Sequence, residues 1–332
     1  MTGRRPLVPV PLARGVHGAV VAPHHLATAA GLGVLRQGGS AIDAAIATNA
    51  VLAVVSPGSC GIGGDAFWLI WDVAAGQQVA LNGSGRSAAG VDAARLREAG
   101  HRRMPFRGPL SITVPGAVRS WGDAHGRYGQ LSRDAVLAPA IELARDGFAA
   151  SDEFIGDVEA MASIARQAVG REGGFDAVFR TEGRAWRTGE RVRLPALAAT
   201  LEALAGDGFD AFYDGDIGER QVAALAAAGS PITLDDLRSH TSTWSEPIEL
   251  TYRDVRVTTH PPNSSGMVAL EILGILRQFE PPPRSSFGPD GVGDARWVHL
   301  GIEAAKLALA DRDAYLTDPE AREVPVAELL DA

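Results

Sequence analysis

A single cysteine, Cys60, in 332 residues excludes an internal disulfide and any cysteine-built zinc cluster, and it fits a reducing compartment. No apolar stretch reaches the roughly 20 residues that a membrane-spanning helix needs, because Gly, Asp, Arg or Gln interrupts each one. The opening MTGRRPLVPVPLARG is positively charged but has no apolar run behind it, so it does not read as a secretory signal. Together these absences predict a cytoplasmic protein. A basic excess is also missing. The net charge is -9 and the Lys and Arg residues are scattered, which argues against nucleic acid and against an acidic membrane surface as partners. Nucleotide-phosphate cradles are absent: there is no G-x-x-x-x-G-K-[ST], and Gly61-Ile62-Gly63-Gly64-Asp65-Ala66 lacks the last glycine of G-x-G-x-x-G. H-E-x-x-H is absent too. His24 and His25 are adjacent, hence about 100° apart on a helix, and read as surface and cap residues, not as zinc ligands.

What the chain does have is 46% hydrophobic and 21% charged residues, the balance of a globular protein able to bury a full core. GAVVA (18–22) reads as a short strand before a helix in HHLATAAGLGVLRQ, stopped by Gly38-Gly39. Ser40 opens a second helix with Asp43 placed as in a capping box, and Pro57 ends it. After the glycine-rich SPGSCGIGGD, the runs AFWLIWD and QVALNGSG flank a turn and predict an antiparallel hairpin. SITV from Ser111 reads as a strand. Helices follow in AVRSWGDAHGRYG, in RDAVLAPAIELARDG and, less regularly, from Phe154 to Ala168. Val136, Leu137, Ala140, Ile141 and Ala144 give the second of these one apolar face. Further helices fit LPALAATLEALAGDG, DIGERQVAALAAAG and TLDDLRSH. IELTYRDVRVTTH predicts a second hairpin around Arg253-Asp254. SSGMVALEILGILRQF, a proline-rich link and a long helix with Trp297, Leu300, Ala304 and Leu307 on one side complete the series. No repeat period or linker stands out. The reading is a tail over 1–14 and one helix-rich α+β region over 15–332.

Three positions invite a chemical reading. Ser59 in Pro57-Gly58-Ser59-Cys60-Gly61 approaches the nucleophile elbow, but the elbow needs strand, turn and helix, and here a strand follows. Cys60 has no His or Lys placed by sequence to activate its thiol, and reads as a small thiol in a glycine-rich turn. The glycine density of that turn nevertheless lets backbone amides approach a ligand or another chain. Arg86 in LNGSGRSAAG ends an apolar strand and a glycine pair, where a guanidinium could grip a carboxylate in bidentate fashion. Read alone, it is better explained as an exposed or salt-bridged arginine.

The series HHLATAAGLGVLRQGGSAIDAAIATNAVLAVVSPGSCGIGGD, LNGSGRSA, SITVPGAVRSWGDAHGRYG, LAPAIELARDGF, AFYDGDIGERQV, TLDDL, THPPNSSGMVALEILGIL and EAAKLALADRDAYLTDP resembles the large-subunit region of γ-glutamyltranspeptidases, in order and spacing, from about Gly15 to Pro319. The resemblance implies an Ntn-hydrolase of the αββα four-layer sandwich type, made as a proenzyme that cuts itself into a large and a small subunit. It implies γ-glutamyl transfer or hydrolysis, on amides such as glutathione, through an acyl-enzyme. The nucleophile in that family is the threonine that begins the small subunit, so no catalytic nucleophile is expected within residues 1–332, and the chain alone is expected to be inactive. The expected partners are the small subunit and a small carboxylate-bearing amide, with no metal or organic cofactor.

The family's large subunit supplies an arginine for the α-carboxylate of the γ-glutamyl group, and Arg86 stands at that place. Its context, Gly83-Ser84-Gly85-Arg86-Ser87, resembles the branch that includes cephalosporin acylases and other amidohydrolases, which keeps an acylase-like activity as the alternative. A non-catalytic module that kept the scaffold is the second alternative. Val257-Thr258-Thr259-His260 imitates the family's cleavage site, but it ends the second hairpin and precedes PPNSSG, a large-subunit landmark; strand threonines explain it better. Thr2 would need removal of Met1 and has no strand to hold it.

Overall fold

The computed structural model describes residues 13–169, 174–180, 184–286 and 293–331. Thr2, nearly all of the 1–14 tail and much of the proline-rich link lie outside the described residues. Packing gathers the chain into two compact units, each made from two separate stretches. Unit 1 runs to Gly64 and resumes over Arg86–Ser239; unit 2 takes Asp65–Gly85 and the chain from His240 onward.

Unit 1 is helical. It contains α1 (His25–Arg36), α2 (Ala41–Val55), α3 (Ala93–Glu98), α4 (Ala117–Tyr128), α5 (Arg133–Asp146), α6 (Asp152–Val169), α7 (Phe175–Phe179), α8 (Pro195–Asp207), α9 (Gly215–Ala227) and α10 (Leu234–Ser239), with β3 (Phe148–Ala149) paired to β4 (Arg191–Val192). The capping box predicted at Ser40 is present: Ser40 Oγ accepts from Asp43 N at 3.0 Å, and Asp43 Oδ2 accepts from Ser40 N at 2.8 Å. The same Asp43 oxygen accepts from Gln130 N at 2.8 Å and Leu131 N at 3.2 Å, so the cap also fixes the approach to α5. α1 and α2 pack closely because Gly31 has no side chain; a Cβ there would lie 2.3 Å from Thr48 Oγ1. α5 turns Val136, Leu137, Ala140 and Ala144 inward, and Ala198, Leu201, Leu204 and Ala205 of its neighbour α8 are likewise buried. Ile141, expected on that face, is half-buried.

Unit 2 carries the sheet. β1 (Ala66–Asp72) and β2 (Gln77–Gly83) form the predicted antiparallel hairpin, with Ile70 opposite Val79, and β5 (Thr243–Ser245) extends it on the far side of β2. β6 (Ile248–Tyr252) and β7 (Val255–Thr259) form the second hairpin around Arg253, whose φ of 58° makes the turn. α11 (Gly266–Leu276), α12 (Ala295–Tyr315) and α13 (Val326–Leu330) complete it, α11 packing on β6, β7, α12 and α13.

Three readings change. GAVVA is no strand in the described chain: residues 18–22 join no ladder there, and a short apolar run becomes a strand only by finding a partner. SITV instead begins inside a 3₁₀ turn, Pro109–Ser111, and joins no strand among the described residues, though Val114 N donates to Arg86 O at 2.9 Å. On α12 the buried positions are Ala304 and Ala308, while Leu307 is 58% exposed. Small residues let α12 approach α11, and Leu307 lies three positions from Ala304 toward the open side. The stretch from Phe154 is a regular helix, opened by Ser151 Oγ accepting from Phe154 N.

Candidate active site region

Arg86 follows β2 by three residues and is exposed. The backbone on either side of it is held. Before it, Gly85 N donates to Asp65 Oδ1 at 3.1 Å. Behind it, Arg86 O accepts from Val114 N, Ala88 is buried, and Ala89 N donates to Asp236 Oδ1 at 2.8 Å. Asp236 is itself fixed by Thr233, whose N and Oγ1 both donate to its carboxylate. The turn ahead of the arginine is also tied by side chains. Asn82 Nδ2 donates to Asn263 Oδ1 at 2.8 Å, Asn263 Nδ2 donates to Ser84 Oγ at 3.0 Å, and Ser84 Oγ donates to Asn82 Oδ1 at 2.7 Å. Sequence reasoning singled out PPNSSG and LNGSGRSA as separate landmarks; in the folded chain Asn263 of the first meets Asn82 and Ser84 of the second. An alignment of polar residues 181 positions apart leaves no local signal.

The other candidates fall elsewhere. Ser59 is an exposed residue in the turn after α2, with a strand and not a helix ahead of it. Burial raises the Cys60 thiol above its ordinary pKa, opposite to what a nucleophile needs. In the glycine-rich loop Gly58 is required sterically, since a Cβ there would lie 2.5 Å from the Asp157 carboxyl carbon, and Gly64 O accepts from Gly116 N and Ala117 N at the start of α4. His24 is buried and caps α1 through Nδ1, which accepts from Leu26 N. Burial and the stacked His25 ring lower the His24 pKa, keeping the imidazole neutral for that bond. Thr258 and Thr259 sit in the β6–β7 ladder opposite Glu249 and Ile248, and His260 is buried with its ring edge-on to Phe67. Among the described residues no group of three or more His, Cys, Asp or Glu is placed to hold a metal ion, and no helix is long and apolar enough to cross a membrane.

A sequence profile described as Gamma-glutamyltranspeptidase matches residues 27–332. The chain belongs to this family. It is 40% identical over 322 residues to the oxamate amidohydrolase proenzyme of Klebsiella pneumoniae, covering 95% of this chain and 58% of that protein. It is 38% identical over 322 residues to the glutathione hydrolase-like YwrD proenzyme of Bacillus subtilis, covering 96% and 58%. The chain thus spans little more than half the length of these relatives. Among solved structures it superimposes on the γ-glutamyltranspeptidase of Helicobacter pylori with a TM-score of 0.86 at 28% identity, covering 97% of this chain and 90% of that one. The fold is that of the Ntn-hydrolases, mixed and about half helical, as the motif series implied. Family members are hydrolases and transferases, among them glutathione hydrolases and acylases.

Proposed function

We propose that this chain is the large-subunit region of a two-subunit γ-glutamyl hydrolase or transferase, and that Arg86 binds the α-carboxylate of the acyl group. The reading is supported by the family match along 27–332 and by the seat of Arg86 just past β2, on backbone fixed on both sides. The nucleophile would be the threonine that opens the small subunit. Its Oγ attacks the γ-carbonyl carbon, its own α-amine takes the hydroxyl proton and passes it to the departing amine, and water or a second amine then releases the acyl group. This chain's part is to hold the carboxylate so that the carbonyl meets that nucleophile in a reactive orientation. A planar fork suits a carboxylate better than a point charge does.

The second reading, an amidohydrolase acting on another carboxylate-bearing amide, is favoured by the Gly83-Ser84-Gly85-Arg86 context and by the relative named for oxamate. Both readings need an in-frame Thr-Thr-His or similar element beyond residue 332; a non-catalytic scaffold does not.

The test is turnover. Coexpressed with its downstream region, the chain should hydrolyse γ-glutamyl-p-nitroanilide, and residues 1–332 alone should not. A panel of glutathione, glutaryl amides and oxamate then separates the two enzymatic readings. In the complete enzyme Arg86→Lys should leave self-cleavage intact and lower kcat/KM by about thirty to a thousandfold, the worth of roughly 2 to 4 kcal/mol for a lost charge-assisted pair. Arg86 also has a partner inside the folded chain. If that contact is its whole role, the variant loses thermal stability and keeps normal kinetics.

A further inference from the structure

We propose that Asn82, Ser84 and Asn263 are positioning residues that set the enzyme's selectivity for carboxylate-bearing acyl groups, by fixing the turn that presents Arg86. The inference rests on the reading of Arg86 as the carboxylate ligand and names what holds it in place. A guanidinium grips a carboxylate with two parallel hydrogen bonds only when its plane is held within about 10–20° of the right orientation. Arg86 stands on irregular backbone just past Gly83, the last residue of β2, with Gly85 immediately before it, and a glycine there leaves the exit from the strand more freedom than another residue would. Something must remove that freedom.

The three side chains form a closed cycle in which each donates once to the next: Asn82 to Asn263, Asn263 to Ser84 and Ser84 to Asn82. Asn82 Oδ1 also accepts from Ser84 N at 2.9 Å, which folds the backbone of 82–84 into an Asx turn. Two of the members are the last polar residues of β2 and its exit; the third comes from the loop between β7 and α11. The cycle is half-buried and holds no ionisable group, so its geometry does not change with pH. Asp65 adds a fourth tie, to Gly85 N, one residue short of the arginine. Because the members donate and accept in one direction, loss of any one breaks two of the three bonds and leaves a single pair that no longer closes the turn. The strand pairing of β2 does not depend on the cycle, since its ladders to β1 and β5 are backbone bonds. The cycle therefore acts on the turn and not on the sheet.

The experiment uses the complete, matured enzyme carrying Ser84→Ala, Ser84→Thr, Asn263→Ala or Arg86→Lys. Two substrates are compared: glutaryl-p-nitroanilide, which keeps the carboxylate, and 4-aminobutyryl-p-nitroanilide, which lacks it. The readout is the ratio of their kcat/KM values. Ser84→Ala and Asn263→Ala should lower this ratio about five- to thirtyfold, Ser84→Thr should restore it, and Asn263→Ala combined with Arg86→Lys should lower it no further than Arg86→Lys alone. Ser84→Ala removes one hydroxyl, so the test survives if Asn263→Ala does not fold. A ratio that stays at its wild-type value in Ser84→Ala, or equal losses on both substrates, overturns the proposal. If Arg86→Lys itself leaves the ratio unchanged, the carboxylate reading of Arg86 falls; if only the Ser84 and Asn263 variants leave it unchanged, that reading stands and this inference alone fails.

Discussion

Unit 1 covers its own apolar surface and unit 2 does not. Among the described residues of unit 1 the exposed large apolar residues lie singly, Val16, Val21, Met104 and Phe106 in irregular stretches and Val178 on the short α7, while α2 buries all but a few of its positions and Trp121 is fully enclosed, its Nε1 donating to Asn49 Oδ1. In unit 2 two groups of exposed residues recur with the period of the element that carries them. Phe67, Leu69 and Trp71 alternate along one face of β1, and Val298 and Ile302 lie one turn apart on α12, with Leu309 two turns further on. Scattered apolar residues are ordinary on a surface, whereas a periodic apolar face is one that packs against something. The lesson is that unit 2 is the half prepared to receive cover, and in the proposed two-subunit enzyme that cover comes from the small subunit.

The strongest way to test the self-sufficiency of unit 1 is Asp43→Ala. Asp43 is fully buried, and one of its oxygens serves three backbone amides from two parts of the chain. Without it the start of α2 loses its box and the segment before α5 loses its anchor. The expected cost is roughly 3 to 5 kcal/mol in unfolding free energy, read by denaturant titration of the purified protein. Ser40→Ala removes only the other half of the box and should cost about 1 kcal/mol. A loss from Asp43→Ala no larger than that from Ser40→Ala would mean that the cap is the whole of its role.

Unit 2 has its own internal cost, which a pH series exposes. Glu271 of α11 is buried with the carboxyl of Asp311 on α12 close by, and burial together with that neighbouring carboxylate pushes its pKa up to about 7. The unfolded chain holds this group near the ordinary glutamate value. Between roughly pH 4.5 and 7 the folded protein therefore binds the extra proton, and the stabilisation from the protonated pair, complete below that window, is lost as pH rises through it. Glu271→Gln keeps a donor toward Asp311 and cannot ionise. At pH 8 it should be more stable than the wild type by about 1 to 3 kcal/mol, with the gap closing toward pH 5. A gap that is independent of pH would place the group's titration outside the window.

Much of unit 1 was legible in the sequence because its signals are local. The capping box of Ser40 and Asp43, the break at Pro57 and the spacing of Val136, Leu137, Ala140 and Ala144 each act within a few residues, where propensity and periodicity are read directly. The hairpins were legible for the same reason, a turn between two apolar runs. What failed was non-local. GAVVA and SITV have strand composition, but composition does not supply a ladder. At the candidate site, Arg86 stands out by its place after an apolar strand and a glycine pair, and its family context raises it from one reading among several to a ligand. Asn82, Ser84 and Asn263 were quoted within landmarks but their meeting was not foreseen, since the amides that close the cycle are separated by most of the chain. Asp43 was read as a cap and proved to be a tie to residues near 130 as well.

The smallest change in stability, and the sharpest test of the contrast between the units, is expected from the outer face of β1. Leu69→Thr and Trp71→Thr put a β-branched strand former at positions 42% and 57% exposed, so the folded chain loses little and the unfolding free energy should move by about 0.5 kcal/mol or less. Association should respond far more. Among the described residues β1 pairs with β2 alone, so an apolar face and an open edge coincide there. Residues 1–332 produced alone should therefore self-associate, as seen by light scattering, and the double substitution should reduce this. Coexpressed with the downstream region, the same double substitution should weaken assembly of the two parts, because the face it alters is the one that needs cover. Should the unsubstituted chain alone prove monomeric and monodisperse, unit 2 would be as self-sufficient as unit 1, and the periodic exposure on β1 would have to be assigned to something other than a missing partner.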